Sequence, residues 1–207
     1  MNVTQTLRNY LLDNKGTIFD VNYEHAKHFG MFDKRTMIRV LMRLDKDEHI
    51  ISWVDKGVYY VNDGSECTEE KIVSHYTEEG RGMLLGGALF KELGIVSKYD
   101  GPIEVLTNKS VANKTIGNIK IIKSDSLLID YKMIALLEIL EKCNMPDDMM
   151  KVATLVDKYL DYYLDMAFDL VIPHMTYKTY TIYKLANLLD NKGKVNHCIE
   201  SFKKYHE

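Results

Sequence analysis

A chain of 207 residues with 46% apolar side chains can bury one large core or two small ones. Its net charge of -3 gives no hint of nucleic acid, and no apolar run reaches the ~18 residues that span a bilayer. The N-terminal stretch lacks the apolar core and small-residue cleavage site of a secretory signal, so a soluble, cytoplasmic protein without membrane contact is expected.

Cys67, Cys143 and Cys198 are odd in number, far apart and in no CxxC spacing, which speaks against zinc and redox motifs and predicts buried free thiols. Charge is distributed unevenly. Residues 1–62 carry nine Lys/Arg against eight Asp/Glu, whereas residues 63–207 carry eighteen against twenty-two. The segment 33–46 alone holds five basic and two acidic residues, a local positive strip on an acidic protein, as a directed DNA contact requires.

In chain order, Leu7, Tyr10, Leu11 and Leu12 recur at helical spacing, and Lys15-Gly16 ends a first helix over about 3–14. Thr17 to Val21 reads as a short extended piece, and Asn22 is expected to cap a brief second helix ending near Gly30. A third helix over about 33–46 has Asp33 as its N-cap. Its apolar Met37, Ile38, Val40, Leu41 and Leu44 fall on one arc at 100° per residue; Arg35, Arg39, Arg43 and Lys46 fall opposite, flanked by Thr36. Ile50–Val54 and Val58–Val61 have strand composition and are joined by the turn residues Asp55-Lys56-Gly57.

Three helices followed by a hairpin are the parts of a winged helix-turn-helix, here spanning 1–62. A helix of this cross-section fits the major groove, where Arg can bond guanine O6 and N7 while Lys neutralises phosphates. The expected DNA contacts are Lys34, Arg35, Thr36, Arg39, Arg43 and Lys46, with Lys56 at the wing tip. The alternative is that the basic row is only a solvated face, on a winged helix that docks another protein.

The string GTIFDVNYEHAKHFGMFDKRTMIRVLMRLDKDEHIISWVDKGVYYV resembles the winged-helix domain of AbiEi-like antitoxins of type IV abortive-infection toxin-antitoxin systems. The shared features are a glycine before a short strand, an arginine-bearing helix ending in Arg43-Leu44, the Gly57-Val58-Tyr59-Tyr60 wing, and a small-residue segment from Gly86 to Ile95. The likeness extends over about 5–125, through Ile103–Asn108 and Ile116–Ile121, and departs from the family at the acidic Asp45-Lys46-Asp47-Glu48-His49. It implies repression of the protein's own operon at repeated DNA sites and counteraction of a nucleotidyltransferase-like toxin with or without a stable complex; two copies on repeated half-sites would gain affinity through avidity, so self-association there is a further expectation. By matching position it assigns DNA contact to Lys34, Arg35, Thr36, Arg39 and Arg43.

Residues 62–68 are polar and turn-rich and mark a domain boundary, leaving 63–207 as an antitoxin or interaction domain. A helix is expected over 69–79. The segment RGMLLGGAL lacks the G-K-[ST] of a P-loop and the spacing of a dinucleotide fingerprint, so close helix packing is its reading. Two or three short strands are expected at about 103–123 with a turn at Gly117-Asn118. From about 126 the chain reads as helical, over 130–143, 147–171, 176–191 and 194–205, with Pro146 suiting a start and Pro173 a break.

The expected fold class is therefore α+β, mostly helical: a winged helix-turn-helix, then a mixed domain with a small sheet and C-terminal helices. Asp157, Asp161, Asp165 and Asp169 stand at successive i, i+4 steps and would form an acidic helix face. That face is either solvated, paired with lysines such as Lys178 and Lys184, or a docking surface for a basic partner. Tyr159, Tyr162, Tyr163, Tyr177, Tyr180 and Tyr183 are expected to pack between the last helices or to enrich an interface. No nucleophile-base pair, metal cluster or cofactor motif is visible, so a regulator without catalysis is expected, ahead of a protein-interaction module and, last, a nucleotide-handling enzyme.

Overall fold

The computed structural model describes residues 2–125 and 130–206. Asn2 accepts the Thr4 N–H at 3.0 Å and caps α1 (Val3–Asp13), whose Leu7 and Leu11 are fully buried. After Gly16, at φ +81°, the short strand β1 (Ile18–Asp20) leads directly into α2 (Val21–Lys27). The cap of α2 is Asp20, which accepts from the N–H groups of Asn22 and Tyr23, so the expected Asn22 cap lies two residues too late. Asp20 was hidden in the sequence because its carboxylate sits at the end of an apolar strand and is itself fully buried.

Asp33 caps α3 (Lys34–Arg43), as expected. The helix then widens into a π-helical turn, Leu44–Glu48, that ends at His49 with φ 52°. Helical periodicity carries α3 on to residue 46; the α-helical part stops at Arg43, where the wider π-helical turn begins and leads to β2 (Ile51–Asp55). With β3 (Val58–Val61) this makes an antiparallel sheet of order β1-β3-β2, with Ile18 and Ser52 both opposite Tyr60. Leu7, Leu11, Phe19, Met37, Leu41 and Leu44 form the core between α1, α3 and this sheet.

The second half begins with α4 (Glu69–Thr77), capped by Thr68. Four further strands follow, β4 (Gly82–Leu85), β5 (Ile103–Thr107), β6 (Lys114–Ile116) and β7 (Ile119–Lys123), in the order β4-β5-β7-β6 with only β5 and β7 parallel. The last three were expected and β4 was not. Half of the glycine-rich segment is thus strand, and the other half opens α5 (Gly86–Glu92). A Cβ at Gly82 would collide with the Tyr76 carbonyl and come within 2.6 Å of the Leu106 carbonyl oxygen, so this glycine is required by the close approach of α4 to the sheet.

Among the described residues five α-helices follow: α6 (Tyr131–Lys142), α7 (Met149–Asp161), α8 (Asp165–Val171), α9 (Thr179–Asn191) and α10 (Cys198–His206). Helix was expected from about residue 126; residues 126–129 lie outside the described ones. The single helix expected over 147–171 is two, interrupted at Tyr162–Leu164. The chain is therefore α+β and mostly helical, and no helix among the described residues is long and apolar enough to cross a membrane.

The two halves share a core. Ile18, Val58 and Tyr60 of the first sheet pack with Ile72 and Tyr76 of α4 and with Val105, Ile116, Ile119 and Ile121 of the second. Within that contact the Tyr76 hydroxyl donates to Asp20 Oδ2 at 3.0 Å, and Lys114 forms an ion pair with the same oxygen while lying over the Tyr76 ring.

Candidate nucleic-acid interface

The helix α3 turns Met37, Val40 and Leu41 inward, and Lys34, Arg35, Thr36, Arg39, Met42 and Arg43 outward. Beneath its N-terminus the turn from α2 is held by an aromatic cluster. Phe29 meets Tyr10 edge-on at 5.1 Å and stacks with Phe32 at 6.4 Å, and a His25 ring nitrogen bonds the Phe32 carbonyl at 2.9 Å. Tyr10 in turn donates to Glu24 at 2.8 Å, and burial raises the Glu24 pKa. The angle between α2 and α3 is thus set by packed rings rather than by the loop backbone alone.

The exposed side chains of α3 differ in how far they are committed. Lys34 reaches back to Asn22 on α2, and Arg43 donates to Thr4 Oγ1 on α1 at 2.9 Å. The Thr36 hydroxyl donates to the capping Asp33 at 2.9 Å, and these bonds from Thr36, aided by Arg35 and Arg39, hold the Asp33 carboxyl below its ordinary range. Arg35 and Arg39 make no hydrogen bond or ion pair among the described residues. They are one helical turn apart, on the arc opposite the core.

Lys46 belongs to the π-helical turn and not to α3, so helical periodicity does not set its direction; it is exposed. Beside it Glu48 is taken by Arg8 at 2.8 Å, which removes one charge from the acidic run 45–49. Lys56 is exposed at the turn between β2 and β3 with Gly57 at φ +75°, and the Val21 N–H bonds the Gly57 carbonyl at 2.9 Å, fastening this turn to the start of α2. The five residues of β2 place Lys56 about 16 Å along the strand from the π-helical turn.

Trp53 and Met42 were not singled out in the sequence, yet both project into solvent, at 62% and 60% exposure. Strict alternation pairs Trp53 with the buried Ile51, but the sheet has a bulge between Trp53 and Asp55 and the core ends before it. A tryptophan in a hairpin strand directly before a Lys-Gly turn was the available signal.

The acidic row does not form one face, since Asp157 and Asp161 lie on α7 and Asp165 and Asp169 on α8. Lys192, rather than Lys178 or Lys184, bridges Asp157 at 2.6 Å and Asp161 at 2.7 Å. Asp165 accepts from the Tyr163 hydroxyl and the His197 N–H. Of the six tyrosines, Tyr159, Tyr163 and Tyr177 are buried, while Tyr162, Tyr180 and Tyr183 are exposed.

The glycine-rich start of α5 is closed by the protein itself. The Gly86 N–H donates to Glu138 Oε2 at 2.8 Å, and Tyr99 lies against Gly87 where a Cβ would stand. The three cysteines are free, Cys198 buried and the others half-buried. Compared with models of protein families and with curated proteins, the chain matches none of them.

Proposed function

We propose that the protein is a DNA-binding transcriptional repressor whose residues 1–62 are a winged helix-turn-helix, and that it serves as the antitoxin of an AbiEi-like pair. The observation that carries the DNA reading is the pair Arg35 and Arg39, which make no hydrogen bond or ion pair among the described residues and lie on the outer arc of a helix whose inner arc is core. A guanidinium without such a bond is available for bidentate bonding to guanine in a groove about 12 Å wide. The order α1-β1-α2-α3-β2-β3, with a short hairpin after α3, supports the winged-helix reading. Lys34, Arg43 and Lys46 then serve phosphates, and Lys56 at the wing tip reaches the adjoining backbone or minor groove. Thr36 steadies the helix start through Asp33.

The antitoxin role rests on the sequence resemblance and names a nucleotidyltransferase-like toxin as the functional partner. Co-expression with such a neighbouring gene tests it, by recovery of growth. The DNA reading is tested by gel-shift titration against the sequence upstream of the protein's own gene, at two salt concentrations with unrelated DNA as competitor. Specific binding that weakens as salt rises is expected, because neutralised phosphates release counterions. Equal binding to unrelated DNA would remove autoregulation.

A second reading, protein docking by the same surface, is favoured by the exposed Met42 and Trp53. It predicts no salt-dependent shift and loss of partner capture in Trp53→Ser.

A further inference from the structure

Among the described residues the strand β4 has a neighbour on one side only, β5. Among the described residues no other backbone hydrogen bond reaches Gly82–Leu84. Proteins commonly protect such an edge with proline, lysine or a bulge, and Gly82-Met83-Leu84-Leu85 has none of these. The edge instead lies in a groove of about 940 Å³, walled by α4 on one side and by α5 and the first turn of α6 on the other. Val73, Thr77, Ala88 and Tyr131 line the walls. The rim is acidic, with Glu69, Glu70 and Glu92 against the single cation Lys91, and none of these four has an ion-pair partner among the described residues. Burial at this rim raises the Glu92 carboxyl above its ordinary value.

We propose that this groove receives an extended, basic segment of a partner protein, which joins the sheet as an added strand beside β4. The free edge offers backbone N–H and C=O groups, which supply affinity without regard to sequence. The period of two then sends alternate side chains of the incoming strand to opposite walls. Cationic side chains on one face meet Glu69 and Glu70, and those on the other pass Ala88 and Tyr131 toward Glu92. The four residues of β4 extend about 13 Å, which accommodates four or five residues of partner. A second copy of this chain is disfavoured as occupant because edge-to-edge pairing would bring two acidic rims together, and DNA is repelled for the same reason. The proposal is independent of the DNA reading of α3.

The test uses the isotopically labelled protein and three six-residue peptides: alternating Lys and Val, alternating Glu and Val, and the Lys-Val peptide N-methylated at every backbone nitrogen. The Lys-Val peptide is expected to slow amide exchange within Gly82–Leu85 about tenfold, with no effect from the Glu peptide, which has the wrong charge, or the N-methylated peptide, which has no backbone N–H to donate to the edge. The variant Glu69→Gln/Glu70→Gln is expected to bind the Lys-Val peptide about tenfold more weakly. Should that variant melt early, the single variant Glu70→Gln is read in its place.

The proposal is overturned if no protection of β4 appears up to about 1 mM peptide. Equal binding of the Lys and Glu peptides overturns it as well. So does protection of β4 by a concentration-dependent dimer, which would assign the edge to a second copy.

Discussion

At the scale of single residues, the arginines of α3 separate by what already holds them. Arg39 makes no hydrogen bond or ion pair among the described residues, whereas Arg43 donates to Thr4. Replacing Arg39 by Ala is expected to weaken operator binding by about 1–3 kcal/mol and to relax sequence preference, measured by competition gel shift. Replacing Arg43 by Ala is expected to weaken binding to all sequences alike and to lower the salt slope by about one. A second residue-scale effect concerns His75, whose Nε2 is buried without a partner and whose pKa is pushed down to about 3, first by burial and then by Lys109. The folded protein keeps this ring neutral while the unfolded chain protonates it near 6.5, so stability present above pH 6.5 is lost as the pH falls toward 3. Melting curves between those values should be flatter for His75→Leu than for the parent.

At the scale of elements, the tightest local requirement is at Gly82. A side chain there meets backbone on both sides, the Tyr76 and Leu106 carbonyls, and neither can swing aside. Gly82→Ala is expected to destabilise by about 3 kcal/mol or more, read from chemical denaturation, whereas Gly117→Ala, with open space around its Cβ, should cost only the positive-φ penalty of about 1 kcal/mol. Element identity was largely legible for α1, α3, β2, β3 and α4, because each carries its own periodicity and most carry a capping side chain. The strand β4 was not legible, because Gly-Met-Leu-Leu has neither alternation nor β-branched residues and becomes a strand through its pairing with β5. The break between α7 and α8 was equally hidden, since no proline or glycine stands at Tyr162–Leu164.

At the scale of the whole molecule, the halves are joined by the shared apolar core and by Asp20, which caps α2 while accepting Tyr76 and pairing with Lys114. Because α2 and α3 carry the candidate DNA surface, this junction ties that surface to the second sheet. Asp20→Asn leaves Lys114 without its counter-charge and is expected to cost about 3–5 kcal/mol, and Lys114→Met in the same chain should recover part of that loss in a double-mutant cycle. Calorimetry of the parent should give one transition, since the cluster of Ile18, Val58 and Tyr60 with Tyr76, Val105 and Ile119 closes only when both halves meet. Two well-separated transitions would refute that coupling.

The sequence by itself determined the helical and hairpin elements of the first sixty residues and the basic outer arc of α3. Those properties depend on neighbours three or four positions apart, which local periodicity reports. Tertiary structure alone decided which arginines make no hydrogen bond or ion pair among the described residues, that Asp20 is a buried junction, that Lys192 neutralises two of four aspartates, and that β4 ends its sheet with an open edge. Each of these depends on groups tens of residues apart in the chain, and no short-range pattern encodes such a meeting.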